Sequence, residues 1–350
     1  MGISEALMGK KNVDGQPFID AIDPPASLPG GEVRIIGKAL KPPRLGRPQV
    51  NFSGTPASIV ISSEDFVVAR VPFGAHSGQV TVQADGGISN GREVSIAQPI
   101  GENLHPVGNP ALDLEGNVFV PFSGARGQKV PVSIYKIDSN YNVRPFLSDL
   151  MNATGLAFDP QGQMYVSSRY DGTVYRVAPN GSMTTYAEGL GVATGIAFDR
   201  EHNLYVGDRT GTIWRIDRDR QIFVFATLEP SIAAYHLAFS PSGSLFVTGP
   251  TTSSFDAVHS IDAHGSVSVF YRGLGRPQGL AFDAAGNLYV AASLAGKRGI
   301  VKITPEGNAS LAVAGHNLVG LAFTRTGGAV LATTNTVFHL TWGIQPLPLI

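Results

Sequence analysis

The chain has 350 residues, 43% hydrophobic and 15% charged, with a formal net charge of −1. That length accommodates two domains and a large buried core. The near-neutral balance, with no strongly basic run, argues against nucleic acid and anionic membrane surfaces as partners. No cysteine is present, which excludes disulfides and thiolate metal sites and leaves the redox compartment open. Glycine (42) and proline (24) are abundant, as suits an all-β chain of short strands and tight turns.

Residues 1–17 read as an N-terminal arm with one helical turn around Glu5–Met8. The arm lacks an apolar core of signal-peptide length, and Lys10 and Lys11 follow its apolar residues rather than precede them. Ala6 breaks the myristoylation pattern. The expected location is cytoplasmic, or exported with a leader removed. No stretch approaches transmembrane length.

Residues 18–97 alternate in short runs: EVRIIGK, QVNFSG, SIVISS, FVVARVP, GQVTVQA and REVSIA. Gly30-Gly31, Gly74 and Gly86-Gly87 punctuate them. Such a run of short strands predicts a small β-sandwich. Its Gly-Gly before a strand, the V-x-F-x-G turn at Val50–Gly54, the hairpin Val71–Val82 and the closing Ser89-Asn90 resemble the IPT/TIG immunoglobulin-like domain. The resemblance spans the module and implies a spacer or interaction role rather than catalysis.

Residues 98–107 read as a linker, with Pro99 and Pro106 opposing regular structure. From 108 to 350 a motif recurs. Its clear copies are GLAFDPQGQMYVSS from Gly155, GIAFDREHNLYVGD from Gly195 and GLAFDAAGNLYVAA from Gly279. Weaker copies begin at Asn109, His236 and Gly320. The anchors Asp113, Asp159, Asp199, Ser240, Asp283 and Thr324 are separated by 46, 40, 41, 43 and 41 residues. A period near forty with several strands per repeat predicts a six-bladed β-propeller. The recurrent acids read as turn caps. Trp214, at the position of Tyr175, reads as core between blades. The last copy lacks a fourth strand, so closure is expected from a segment near Val94–Ile100, or from the proline-rich tail as an outer edge.

Aligning the repeats with one another locates candidate site residues. At the first motif position four copies have Gly, whereas the first and fourth have Asn109 and His236. In a six-fold ring these two are opposed across the channel. The preceding residues include Thr154, Thr194, Tyr235 and Gln278, suited to orienting a polar ligand. The loops between second and third strands add Arg126, Arg169, Tyr170, Asp171, Asp208, Arg209 and Lys297 to the same face.

The blade pattern resembles the SMP-30/gluconolactonase and NHL-repeat group over about 108–343, and more loosely the streptogramin lyase-type propellers. In the lactonases the resemblance implies a divalent metal at the channel mouth, held by a Glu, by Asn residues and by the Asp of a P-D-G motif. Here the matching positions carry Asn109, Thr154 and Thr194, and Gln278 in Pro277-Gln278-Gly279. A hard cation prefers carboxylate oxygens, so only a weak Ca²⁺ or Mg²⁺ site built from Asn109, Asp208, His236 and Gln278 is expected.

Two functions stay open. The first is a scaffold whose propeller face binds a protein or a small polar or carbohydrate ligand through Asn109, Thr154, Arg169, Thr194, Arg209, His236 and Gln278. The second is a variant metal-assisted lactonase, a hydrolase or lyase acting on a small polar or sugar-derived substrate, with His236 and Asp208 as candidate catalytic groups.

Overall fold

The computed structural model describes residues 15–42, 46–84, 87–252 and 256–347, all strands, turns and irregular segments. The helical turn expected at Glu5–Met8 lies outside the described residues. No helix among them is long and apolar enough to cross a membrane. The chain divides into two compact units. One runs to Ala97 and takes in Val313–Gly315; the other comprises Gln98–Ala312 and resumes at His316.

In the first unit, Phe18–Asp23 pairs with Glu32–Lys38, which pairs with Phe66–Arg70, which pairs with Thr55–Ser62, all antiparallel. Gln49–Phe52 and Arg92–Ile96 flank Gly78–Ala84 in a second antiparallel set. The period-2 alternation of these segments buries one face of each. Val33, Ile35, Val67, Ala69, Val80 and Val82 are essentially inaccessible.

The second unit repeats one meander. Ala111–Leu112, Val118–Pro121, Ile134–Ile137 and Val143–Leu147 form one four-stranded sheet. Ala153–Phe158, Met164–Ser168, Thr173–Val177 and Met183–Ala187 form the next, and Ala193–Phe198, Leu204–Asp208, Thr212–Ile216 and Ile222–Thr227 another. His236–Phe239, Leu245–Thr248, Asp256–Ile261 and Val267–Gly275 pair in the same way. Leu280–Phe282, Leu288–Leu294 and Lys297–Ile303 follow with Ala309–Ala314, joined to the preceding set through Leu274–Leu294 and Gly275–Ser293. Leu318–Phe323, Gly328–Thr333 and Val337–Thr341 come last.

Each first turn is closed by its anchor residue. Asp159 Oδ1 accepts the N–H groups of Gln161 and Gln163. Asp113, Asp199 and Asp283 each accept the backbone N–H and the side-chain amide of the Asn four residues on. Ser240 and Thr324 cap the equivalent turns with hydroxyls. The recurrent acids are therefore turn caps.

Successive sheets interlock through aromatic side chains. Tyr165 meets Tyr186 of its own sheet and Phe198 of the next edge-to-face, both at 4.9 Å between centroids. Phe119, Tyr205 and Phe246 repeat the arrangement with Phe158, Phe239 and Phe282 of the following sheets. Each such pair contributes roughly 0.5–1.5 kcal/mol beyond area burial. Trp214 packs in the cluster that includes Tyr165, Leu204 and Val206. Sheets consecutive in sequence are thus neighbours in space, the propeller arrangement.

The last sheet is completed by Gln98–Gly101, antiparallel to Val337–Thr341 with Gln98 opposite His339 and Pro99 opposite Phe338. Part of the segment expected as a linker is therefore an edge strand, and it supplies the missing fourth member. Proline is tolerated there because an edge strand leaves one row of backbone groups unpaired. The tail does not form that edge. Ile344 N–H donates to Gly327 O at 3.0 Å, Ala284 N–H to Gln345 O at 2.9 Å, and Pro346 bridges to Asp283. The tail runs across the turn face instead.

Candidate functional site

Close packing of the first strands sets the channel geometry. A Cβ on Gly195 would lie 2.5 Å from Tyr235 O, and one on Gly320 would lie 2.6 Å from Asn109 Cα. Glycine is required there because the neighbouring backbone occupies the space of a side chain. The two departures from glycine meet at this constriction. Asn109 and His236, with Thr154, Gly155 and Gly195, line a void of about 30 Å³, room for about one water molecule.

His236 is buried, and burial lowers its pKa from 6.5 to about 4, so the imidazole is neutral at neutral pH. Asn109 bridges two other strands, its Nδ2 donating to Leu280 O at 3.0 Å and its Oδ1 accepting Leu321 N–H at 3.1 Å. Thr154 Oγ1 donates to Asn152 O, and Thr194 Oγ1 to Gly207 O at 2.8 Å. Both hydroxyls are buried and committed to the backbone. The backbone carbonyl of Gln278 accepts the Thr248 hydroxyl.

Asp208 is a brace. Its Oδ1 accepts Val192 N–H at 2.8 Å and Thr210 N–H at 3.1 Å, and its Oδ2 accepts the Thr210 hydroxyl. Asp208 is only 4% exposed, and these bonds make it a fixture of its loop. A lactonase-type metal does not fit this donor set. Asp208 already accepts three hydrogen bonds from its own loop region, Asn109 Oδ1 serves Leu321, and no group of three or more His, Asp or Glu side chains among the described residues is placed to hold an ion.

The roomy part of the channel lies on the turn side, where Asn109 is the one ligand-binding candidate of the repeat alignment among its lining residues. A cavity of about 880 Å³ opens on the turn face. Its wall includes Ala111, Ala157, Ala238, Ala281 and Ala322, five of the six alanines of the repeated motif, all partly exposed. Asp199, Arg200, Glu201, Ser240 and Ser242 line its rim, and Pro346 and Leu347 of the tail lie against it.

On the loop face, the residue organising the loops is one that the sequence reading passed over. Asn152 is fully buried with φ 51°. Its Nδ2 donates to Ser123 Oγ, Gly124 O and Ala125 O at 3.0–3.1 Å, and its Oδ1 accepts Gly127 N–H at 2.8 Å. Its carbonyl accepts Arg169 N–H at 3.2 Å. The signal was available: Asn152 precedes its motif glycine by three residues, where the next copy has Val192.

No family model and no curated protein matches this sequence. Solved structures do match its fold. One is a protein assigned as a gluconolactonase, at 17% identity and a TM-score of 0.61 over 73% of this chain and 94% of that one. An auxiliary nutrient binding protein from Bacteroides thetaiotaomicron aligns at 11% identity and a TM-score of 0.56, covering 93% and 98%. A catalytically inactive virginiamycin B lyase from Staphylococcus aureus with quinupristin aligns at 16% and 0.52, covering 81% and 93%. At such identities the likeness is one of fold. It defines the class: an all-β protein built on a propeller.

Proposed function

We propose that this protein is a ligand-binding β-propeller of six blades, joined to an IPT/TIG-type immunoglobulin-like sandwich that serves as spacer or docking module. The blade count rests on six motif copies, each opening one set of strands, with Gln98–Gly101 completing the last. The sandwich rests on the two antiparallel sets before Ala97 and on the Gly30-Gly31 and Val71–Val82 signatures.

The observation that carries the binding reading is the axial cavity. Its volume of about 880 Å³ falls in the range of small-molecule sites, which combine an apolar wall with a few polar groups. Alanines keep the wall wide, and the rim offers Asp199, Arg200, Glu201 and Ser242 for orientation. A carbohydrate-sized polar ligand with an apolar face suits that wall. The fold shared with nutrient binding proteins supports the same reading. The lactonase alternative retains only the neutral His236 as a base, at a void too small for a substrate.

The test is a thermal-shift screen of mono- and oligosaccharides, with hits confirmed by calorimetry on the wild type and on Ala281→Leu. Saturable binding that the leucine abolishes supports the axial site. Hits that survive the substitution place the ligand elsewhere and defeat the reading.

A further inference from the structure

The loop face carries charges that the fold leaves uncompensated. Arg169 and Arg209 occupy the same position in successive repeats, fourteen residues after Gly155 and Gly195. Each backbone N–H is tied alike, Arg169 to Asn152 O at 3.2 Å and Arg209 to Val192 O at 3.1 Å. Arg126 stands in the corresponding loop of the preceding sheet, between Ala125 and Gly127, both held by the Asn152 side chain. Three consecutive sheets thus each present an arginine on adjoining loops.

Arg169 lies in the middle. Its Nη2 donates to Gly124 O at 2.7 Å and to Ser123 Oγ at 3.2 Å, whereas its Nε is buried without a hydrogen-bond partner. The ion pairs among the described residues involve none of the three arginines. The nearby carboxylates are engaged elsewhere: Asp208 braces its loop, and Asp171 accepts Thr173 N–H and the Tyr175 hydroxyl. Burial, then the like charges of Arg209 and Arg126, draw the Arg169 pKa below the usual arginine value. Arg169 is partly buried, and such a cation without a counter-charge is costly unless something pairs with it; Arg126 and Arg209 are exposed, with Arg209 Nε donating to Ser231 O at 3.3 Å. Tyr170, 45% exposed, lies over Gly127 beside them.

We propose that Arg126, Arg169 and Arg209 form a binding site for a small multivalent oxyanion, a polycarboxylate or a phosphorylated compound. Guanidinium groups bind such oxygens in paired, charge-assisted hydrogen bonds. On a chain of net charge −1 the attraction is local to this face. None of the three arginines lines the axial cavity, so this site stands or falls independently of that one.

The test is calorimetric titration of the full chain with citrate and, separately, with inorganic phosphate, each against chloride at matched ionic strength. The expected result is saturable one-to-one binding of at least one probe. Affinity should fall about tenfold in Arg126→Gln and in Arg209→Gln, as expected for loss of one charge-assisted contact. Arg126 makes no side-chain hydrogen bond or ion pair among the described residues, so its substitution leaves the loop intact. Tighter citrate binding assigns a polycarboxylate, and tighter phosphate binding a phosphorylated ligand. Absence of saturation with both probes, or binding unchanged in both variants, overturns the proposal.

Discussion

Gly320 and Asn109 close the propeller. A Cβ on Gly320 would lie 2.6 Å from Asn109 Cα and from Gly108 O. The last repeat is thereby pressed against the first, and Asn109 fastens the joint through Leu321 N–H and Leu280 O. Gly320→Ala is expected to lower stability by about 1–3 kcal/mol, the cost of overpacking against backbone that cannot retreat. Urea unfolding measures it. An unchanged midpoint would show that the first strands are not in contact there.

Asn109→Ala is a separate case. It leaves a buried N–H and carbonyl unpaired across the closing strands, at a cost of about 1–3 kcal/mol. If Asn109 served a ligand instead of the ring, its removal would leave stability unchanged and lower only binding. Denaturation in the absence of ligand separates the two roles.

The repeat made the propeller legible, because a forty-residue period with a capped first turn has few other structural solutions. Closure was legible too, since an unpaired edge at Val337–Thr341 demands a partner. The site was less so. The alignment identified Asn109 and His236 as departures from glycine, and they do share a void. It could not show that the hydroxyls of Thr154 and Thr194 and the carboxylate of Asp208 are engaged by backbone groups. Those bonds depend on loop conformations, and one-dimensional spacing does not encode them. The cavity on the turn face follows from the width of a ring of alanines, which in sequence look like ordinary core.

Asn152 should matter more than any of the residues around it. Asn152→Ala removes four hydrogen bonds to the 123–127 segment from a fully buried position. A loss of about 2–4 kcal/mol is expected from unsatisfied buried groups, with faster amide exchange at Gly127 than at strand positions such as Val166. Equal protection at Gly127 in both proteins would show that the loop is held by something else.

Trp342 joins the tail to the ring. It meets Tyr289 edge-to-face at 5.3 Å and lies 6.2 Å from Phe323. Trp342→Ala is expected to cost about 2 kcal/mol, within the range for losing a large, partly buried aromatic side chain. Phe223, 49% exposed on an outer strand, is the comparison. If Phe223→Ala destabilises as much, the aromatic contact at Trp342 carries no special weight.

His236 gives the protein a defined acid response. Burial lowers its pKa from 6.5 to about 4 in the folded state. As pH falls, the unfolded chain takes up a proton through about pH 6.5, whereas the folded chain does not until about pH 4. The unfolded state therefore binds more protons throughout that window, and stability declines as the solution becomes more acid. The loss is negligible above about pH 7.5, reaches about 2 kcal/mol at pH 5 and levels off near 3 kcal/mol below pH 4. His259 and His339 are shifted in the same direction by burial, so the measurement is a difference. The unfolding free energy of the wild type should drop between pH 7 and pH 5 by about 2 kcal/mol more than that of His236→Gln. Parallel pH profiles would mean that His236 takes up its proton in the folded state, and that the void beside Asn109 admits solvent or a counter-ion.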